Sequence, residues 1–98
     1  MWITNTTSQV TREQRVEVEK FPGAFLPKMK PQPGVVAIYH YARPEVEDES
    51  TVIIWRDQES LTAYREGELI KEAIAFEQKL GLKSTREAYP PIYQSIDQ

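Results

Sequence analysis

His40 is the one histidine in the chain, and it is the one side chain here whose unperturbed pKa lies near neutrality. A residue of that type can take a proton from a phenolic hydroxyl, a step usually worth about 10²–10⁴-fold in rate. Strand alternation places His40 with Val36 and Ile38 on one face, inside an otherwise apolar surface. Two readings therefore stand side by side: a general base, or a hydrogen-bonded histidine in a core or interface. Trp55 and Tyr64 are the aromatic residues spaced to wall a pocket for a flat ligand, one from a strand end and one from the helix after it. Each has an alternative as plain core, although a buried phenol needs a hydrogen-bond partner that a pocket can supply. Tyr39 and Tyr41 lie on the strand face opposite His40 and suit an interface. Arg43 and Arg56 could neutralise an anion, or simply face water beside surface carboxylates.

Other chemistries find little support. The chain has no cysteine, which excludes thiolate nucleophiles, thiolate metal sites and disulfides. One histidine with scattered carboxylates gives no metal-ligand spacing. The four glycines are isolated, so no phosphate-binding loop is expected. The net charge of −3, from 15 acidic and 12 basic residues, argues against the basic stripe that nucleic acid requires. The densest charge, Glu45-Val46-Glu47-Asp48-Glu49, reads as a solvated turn between two strands rather than a cation site. No apolar run approaches the ~20 residues that span a bilayer, and Met1 to Asn5 lacks the pattern of a secretory signal. A cytoplasmic location is the expectation.

The elements that must position these residues follow from their patterns. At 98 residues the chain fits a single domain, 1–98. Met1 to Thr4 reads as a short strand. Thr11-Arg12-Glu13-Gln14 has capping-box spacing, and Val18, Phe21, Phe25 and Met29 continue as one helical stripe. Pro22-Gly23 and Pro27 predict that this helix is kinked or split, because an interior proline removes a hydrogen bond and crowds the preceding turn. Val35 to Arg43 and Thr51 to Trp55 are rich in β-branched and aromatic residues and form an antiparallel hairpin with a long loop. Asp57 or Ser60 can cap the next helix, Gly67 breaks or bends it, and Gly81 stops it. Ser84 to Ile96 is extended, with Pro90-Pro91 implying an edge strand or a bulge.

The order β-α-β-β-α-β predicts an α+β fold of the ferredoxin-like kind, a four-stranded antiparallel sheet with two helices on one face. The hairpin strands are apolar on both faces, and two helices can cover only one of them. An uncovered second face would exceed the few hundred Å² of apolar patch usual on a monomer. A homodimer through the sheet face is therefore expected.

Pro33-Gly34-Val35-Val36-Ala37-Ile38-Tyr39, and Val52 to Tyr64 with its strand-ending Trp55 and capped helix, resemble the antibiotic biosynthesis monooxygenase-like family, over Met1 to about Tyr93. The resemblance implies a dimeric α+β barrel. It also implies oxidation of an aromatic or quinone-type small molecule without metal or flavin, with His40, Tyr64 and Trp55 as the candidate catalytic residues and no cofactor. The haem-degrading branch of that family is not matched, since Tyr64 stands where it carries a tryptophan and Ile74 or a neighbour where it carries a ligating histidine. The competing expectation is a non-catalytic homodimer of the same fold, binding a small hydrophobic ligand or serving a stress or regulatory role. A pocket of about 300 Å³ or more between sheet and helices, reached by His40 or Tyr64, would favour the enzyme.

Overall fold

The computed structural model describes residues 1–92. Its elements are β1 (Trp2–Gln9), α1 (Arg15–Met29), β2 (Val35–Arg43), β3 (Asp48–Trp55), α2 (Gln58–Glu66), α3 (Glu68–Leu80) and β4 (Lys83–Tyr89). The four strands form one sheet in the order β2-β3-β1-β4, with antiparallel pairing throughout. This is the expected ferredoxin-like arrangement. The helices pack on one face, where Phe25 and Met29 of α1, Leu61 of α2 and Ala73 of α3 meet Ile53 and Trp55 of β3.

β1 runs to Gln9, well past the expected end at Thr4. Its second half, Asn5-Thr6-Thr7-Ser8, has no apolar residue to announce a strand. As a central strand it has its backbone paired on both sides, by β3 and β4. Two of its hydroxyls pair with neighbours across the ladder, Thr7 Oγ1 with Ser50 Oγ at 2.8 Å and Ser8 Oγ with Ser84 Oγ at 2.7 Å. Cross-strand hydrogen-bonding pairs of this kind stabilise a sheet as apolar pairs do.

The capping box forms as expected. The Thr11 N–H donates to Gln14 Oε1 at 3.0 Å, and the Gln14 N–H donates to Thr11 Oγ1 at 3.3 Å. It closes a turn, and the helix proper begins one residue later. α1 then runs unbroken through Pro22 and Pro27. Each proline deletes one helical hydrogen bond, at about 3 kcal/mol or more. Opposing this, Val18, Phe25 and Met29 are buried, at about 1.5–3 kcal/mol each. Phe21 also stacks on Phe25 and on Phe76 of α3, at centroid distances of 4.9 and 4.0 Å. Tertiary packing outweighs local propensity here.

Gly67 breaks the second helix into α2 and α3, with Asp57 as the side-chain cap of α2, accepting from the Ser60 N–H at 2.8 Å. Gly34 adopts φ +85 where the chain enters β2, and a Cβ there would lie 2.1 Å from Ser60 Oγ. β4 is an edge strand, as Pro90-Pro91 suggested, but the prolines follow its last residue instead of interrupting it. The part of the expected extended segment from Tyr93 to Ile96 lies outside the described residues.

Two expectations about the hairpin need correction. The turn is short, a 3-10 turn at Pro44–Val46 closed by Glu47 in the left-handed region at φ 53. Asp48 and Glu49 are consequently the first residues of β3, and both are buried. Second, β2 carries a bulge between Val35 and Ala37. Val35 faces the core with Ile38, while Val36 turns outward and is 56% exposed. Val36 therefore does not share a face with Ile38 and His40.

Candidate active site

β2 and β3 lie in register with His40 opposite Thr51, and residues paired in this way point to the same face. His40, Glu49 and Thr51 thus stand together on the helix-covered side. They line a cavity of about 90 Å³, partly open to solvent, between the sheet and the helices. The roof is apolar, built by Val18, Phe21 and Phe25 of α1 with Ala73 and Phe76 of α3. The floor is polar, with Thr6 and Ser8 of β1 beside the β2–β3 residues. Tyr64 and a Glu77–Arg86 ion pair close another side, with Arg86 Nη1 donating to Glu77 Oε1 at 2.9 Å.

The imidazole is held at both nitrogens. His40 Nε2 lies 2.9 Å from Glu49 Oε1, and Nδ1 lies 2.8 Å from Thr51 Oγ1. A carboxylate can only accept, so Nε2 carries the proton in the neutral ring and Nδ1 presents its lone pair to the Thr51 hydroxyl. The Glu49 side chain is 2% exposed, and its second oxygen accepts from Arg15 Nη1 at 3.2 Å. Such burial of a carboxylate is costly unless it is paired, and Arg15 of α1 supplies the pair. Arg15, Glu49, His40 and Thr51 thus form one chain of hydrogen bonds from the first turn of α1 to the cavity floor.

Of the residues singled out in the sequence, His40 and Tyr64 both line the cavity. Burial pushes the Tyr64 phenol above its ordinary range, with Glu77 adding to that effect and Arg86 opposing it. Trp55 is fully buried behind Tyr64, with the ring centroids 5.3 Å apart, and does not line the cavity. Its indole N–H donates to Thr4 Oγ1 at 3.0 Å, so it holds the wall in place from the core. Arg43 makes a two-pronged pair with Asp48, whose carboxyl is held below its usual range chiefly by that hydrogen bond. Tyr39 and Tyr41 lie on the opposite, outer face, 62% and 44% exposed.

Sequence reasoning missed Arg15, Glu49 and Thr51. Glu49 was hidden in an acidic run, and Arg15 joins the site only through the helix packing. The signal was available for Thr51. A four-residue connection after Arg43 pairs positions whose numbers sum to 91, which sets His40 against Thr51 and leaves Glu49 two residues along on the same face.

Neither a family model nor a curated protein sequence matches the chain. In shape it resembles solved structures over nearly its whole length. A candidate antibiotic biosynthesis monooxygenase from Deinococcus radiodurans superposes with a TM-score of 0.87 at 12% identity, over 100% of this chain and 98% of the other. A conserved protein from Methanosarcina mazei Go1 gives 0.75 at 18% identity, over 91% of each chain. A protein of unknown function from Nitrosomonas europaea gives 0.78 at 13% identity, over 99% and 94%. The chain thus has the antibiotic biosynthesis monooxygenase-like fold, a four-stranded antiparallel sheet covered on one face by helices.

Proposed function

We propose that the chain is a cofactor-independent monooxygenase-like protein, one domain per chain, acting on an aromatic or quinone-type small molecule in the cavity between sheet and helices. The observation that carries this reading is His40 inside that cavity, its ring fixed by Glu49 and Thr51 as an oriented base requires. Loss of a phenolic proton makes the ring electron-rich enough to reduce dioxygen directly. A ring C–H is then replaced by C=O, one oxygen atom enters the quinone, the other leaves as water, and the substrate supplies the electrons. His40 takes the proton, Tyr64 bounds the ring and can donate to the developing anion, and Trp55 supports Tyr64 from the core. The Phe21, Phe25 and Phe76 side of the cavity supplies stacking surface and keeps water out.

The cavity of about 90 Å³ is well below the ~300 Å³ expected of a drug-sized pocket. It suits a single ring held partly in the mouth. The same smallness favours a second reading, a homodimer of this fold that binds a small hydrophobic ligand without converting it. Oxygen uptake with a panel of hydroquinones and anthrones separates the two. Consumption that falls at least tenfold in His40→Ala supports the enzyme. Background consumption by the parent, His40→Ala and Tyr64→Phe alike leaves only binding.

The outer sheet face supports a homodimer. Ile3, Val52, Ile54, Ala37, Tyr39, Tyr41 and Tyr89 share it by register, and no element of the described chain covers them. Light scattering at micromolar concentration should give twice the 11.4 kDa of one chain. A mass of one chain would refute the dimer. A cytoplasmic location belongs to the same proposal.

A further inference from the structure

We infer that the atom which takes the substrate's proton is Thr51 Oγ1, and that His40 receives it only through this hydroxyl. The inference rests on the proton-abstraction reading of the cavity and names a residue for it. Both imidazole nitrogens are occupied, Nε2 by Glu49 at 2.9 Å and Nδ1 by Thr51 at 2.8 Å, so a ligand cannot reach a free lone pair on the ring. With the Nε2–H directed at a carboxylate, the Thr51 hydroxyl must be the donor to Nδ1. Its oxygen keeps lone pairs, and Thr51 lines the cavity directly opposite His40 in the ladder.

The step balances as a relay. The substrate O–H bond breaks and its proton bonds to Thr51 Oγ1, while the proton Thr51 already carried passes to His40 Nδ1. The products are a substrate anion and an imidazolium. Glu49 stabilises that imidazolium through the existing Nε2 bond, and Arg15, 3.2 Å from the other carboxylate oxygen, keeps Glu49 in place. The other titratable groups facing the cavity are Tyr64, Glu77 and Arg86. Arg86 is committed to Glu77, and a tyrosine whose ionisation is opposed by burial is a poor base. Hydroxyl, imidazole and carboxylate within hydrogen-bond reach of each other are the arrangement by which a weak acid–base group is activated.

The test uses 4-nitrophenol, whose anion absorbs at longer wavelength than the neutral phenol, added to the intact protein below the probe's own pKa. The parent should bind it as the anion. Thr51→Val, which keeps the shape and removes the hydroxyl, should lower the bound anion fraction at least tenfold, as should His40→Ala. Thr51→Ser should restore most of it, which separates loss of the hydroxyl from loss of the fold. An unchanged anion band in Thr51→Val or His40→Ala overturns the relay, and so does a parent that binds only neutral probe or none. Anion formation without oxygen uptake upholds the relay and sinks the oxidation. Oxygen uptake that Thr51→Val does not slow sinks the relay and leaves the oxidation standing.

Discussion

Arg15→Met should destabilise the chain far more than loss of a surface arginine does. The arginine is 20% exposed and sits 3.2 Å from a carboxylate that is 2% exposed. At that distance an effective dielectric of about 20 gives an attraction of roughly 5 kcal/mol. Much of it offsets the desolvation of Glu49, but removing one partner keeps the desolvation cost and loses the attraction. Buried pairs broken in this way typically cost about 3–5 kcal/mol. Arg15 is partly wet and His40 remains as a donor, so the low end applies, about 3 kcal/mol. In a domain of this size that lowers Tm by about 12–24 °C. Glu49→Gln keeps an acceptor for the His40 N–H and should cost only about 1 kcal/mol. The double variant has no uncompensated charge and should resemble Glu49→Gln alone, giving a coupling energy of about 3 kcal/mol. Urea titrations of the four proteins, at one fixed concentration because association would shift the midpoints, measure the cycle. Additive effects, or an Arg15→Met variant within about 0.5 kcal/mol of the parent, would refute the charge-anchor account.

Gly34→Ala forces a side chain into the left-handed region and onto Ser60. The strain is about 1–2 kcal/mol and the overlap adds about 1–3. Adding Ser60→Gly should recover the overlap and leave the strain, and a double variant no more stable than Gly34→Ala would contradict that geometry. Hydrogen bonds from the Ser60 hydroxyl, and then from its backbone N–H, hold the Asp57 carboxyl below its ordinary range. A depressed folded value gives stability that is present above the unfolded value and lost as pH falls through the folded one. Asp57→Asn should therefore be less stable at neutral pH, with a shallower acid limb in a thermal titration. Tyr64 is raised by burial, so its contribution is present below the unfolded value and lost as pH climbs through the folded one. Tyr64→Phe should flatten the alkaline limb of the stability curve, and an unchanged limb would show that the phenol is not desolvated.

The sequence made the helices and the hairpin legible because their apolar spacing is strong. The Val18, Phe21, Phe25 and Met29 stripe announced α1, and Asp57 announced the start of α2. What stayed hidden has physical reasons. The second half of β1 is polar, with Thr7 and Ser8 paired across the ladder, and apolar periodicity cannot register that. The continuity of α1 depends on Phe76, some 55 positions from Phe21, and no local rule weighs a proline against a distant ring. His40 and Tyr64 were visible as candidates because of their residue types. Glu49 was not, since an acidic residue next to a turn looks solvated until Arg15 and His40 are brought to it by the fold.

The bulge at Val36 bears on insertions and deletions. Val35 faces Trp55 and Ala37 faces Ile54, which are adjacent residues of β3, so Val36 is the surplus residue of the ladder. A chain lacking it would keep Val35 inward and leave His40 still opposite Thr51. The distance from Gly34 to the histidine is therefore free to vary by one residue during descent while the cavity floor stays the same. The four-residue connection after Arg43 has no such freedom. One residue gained or lost there slips the register and separates His40 from both of its partners.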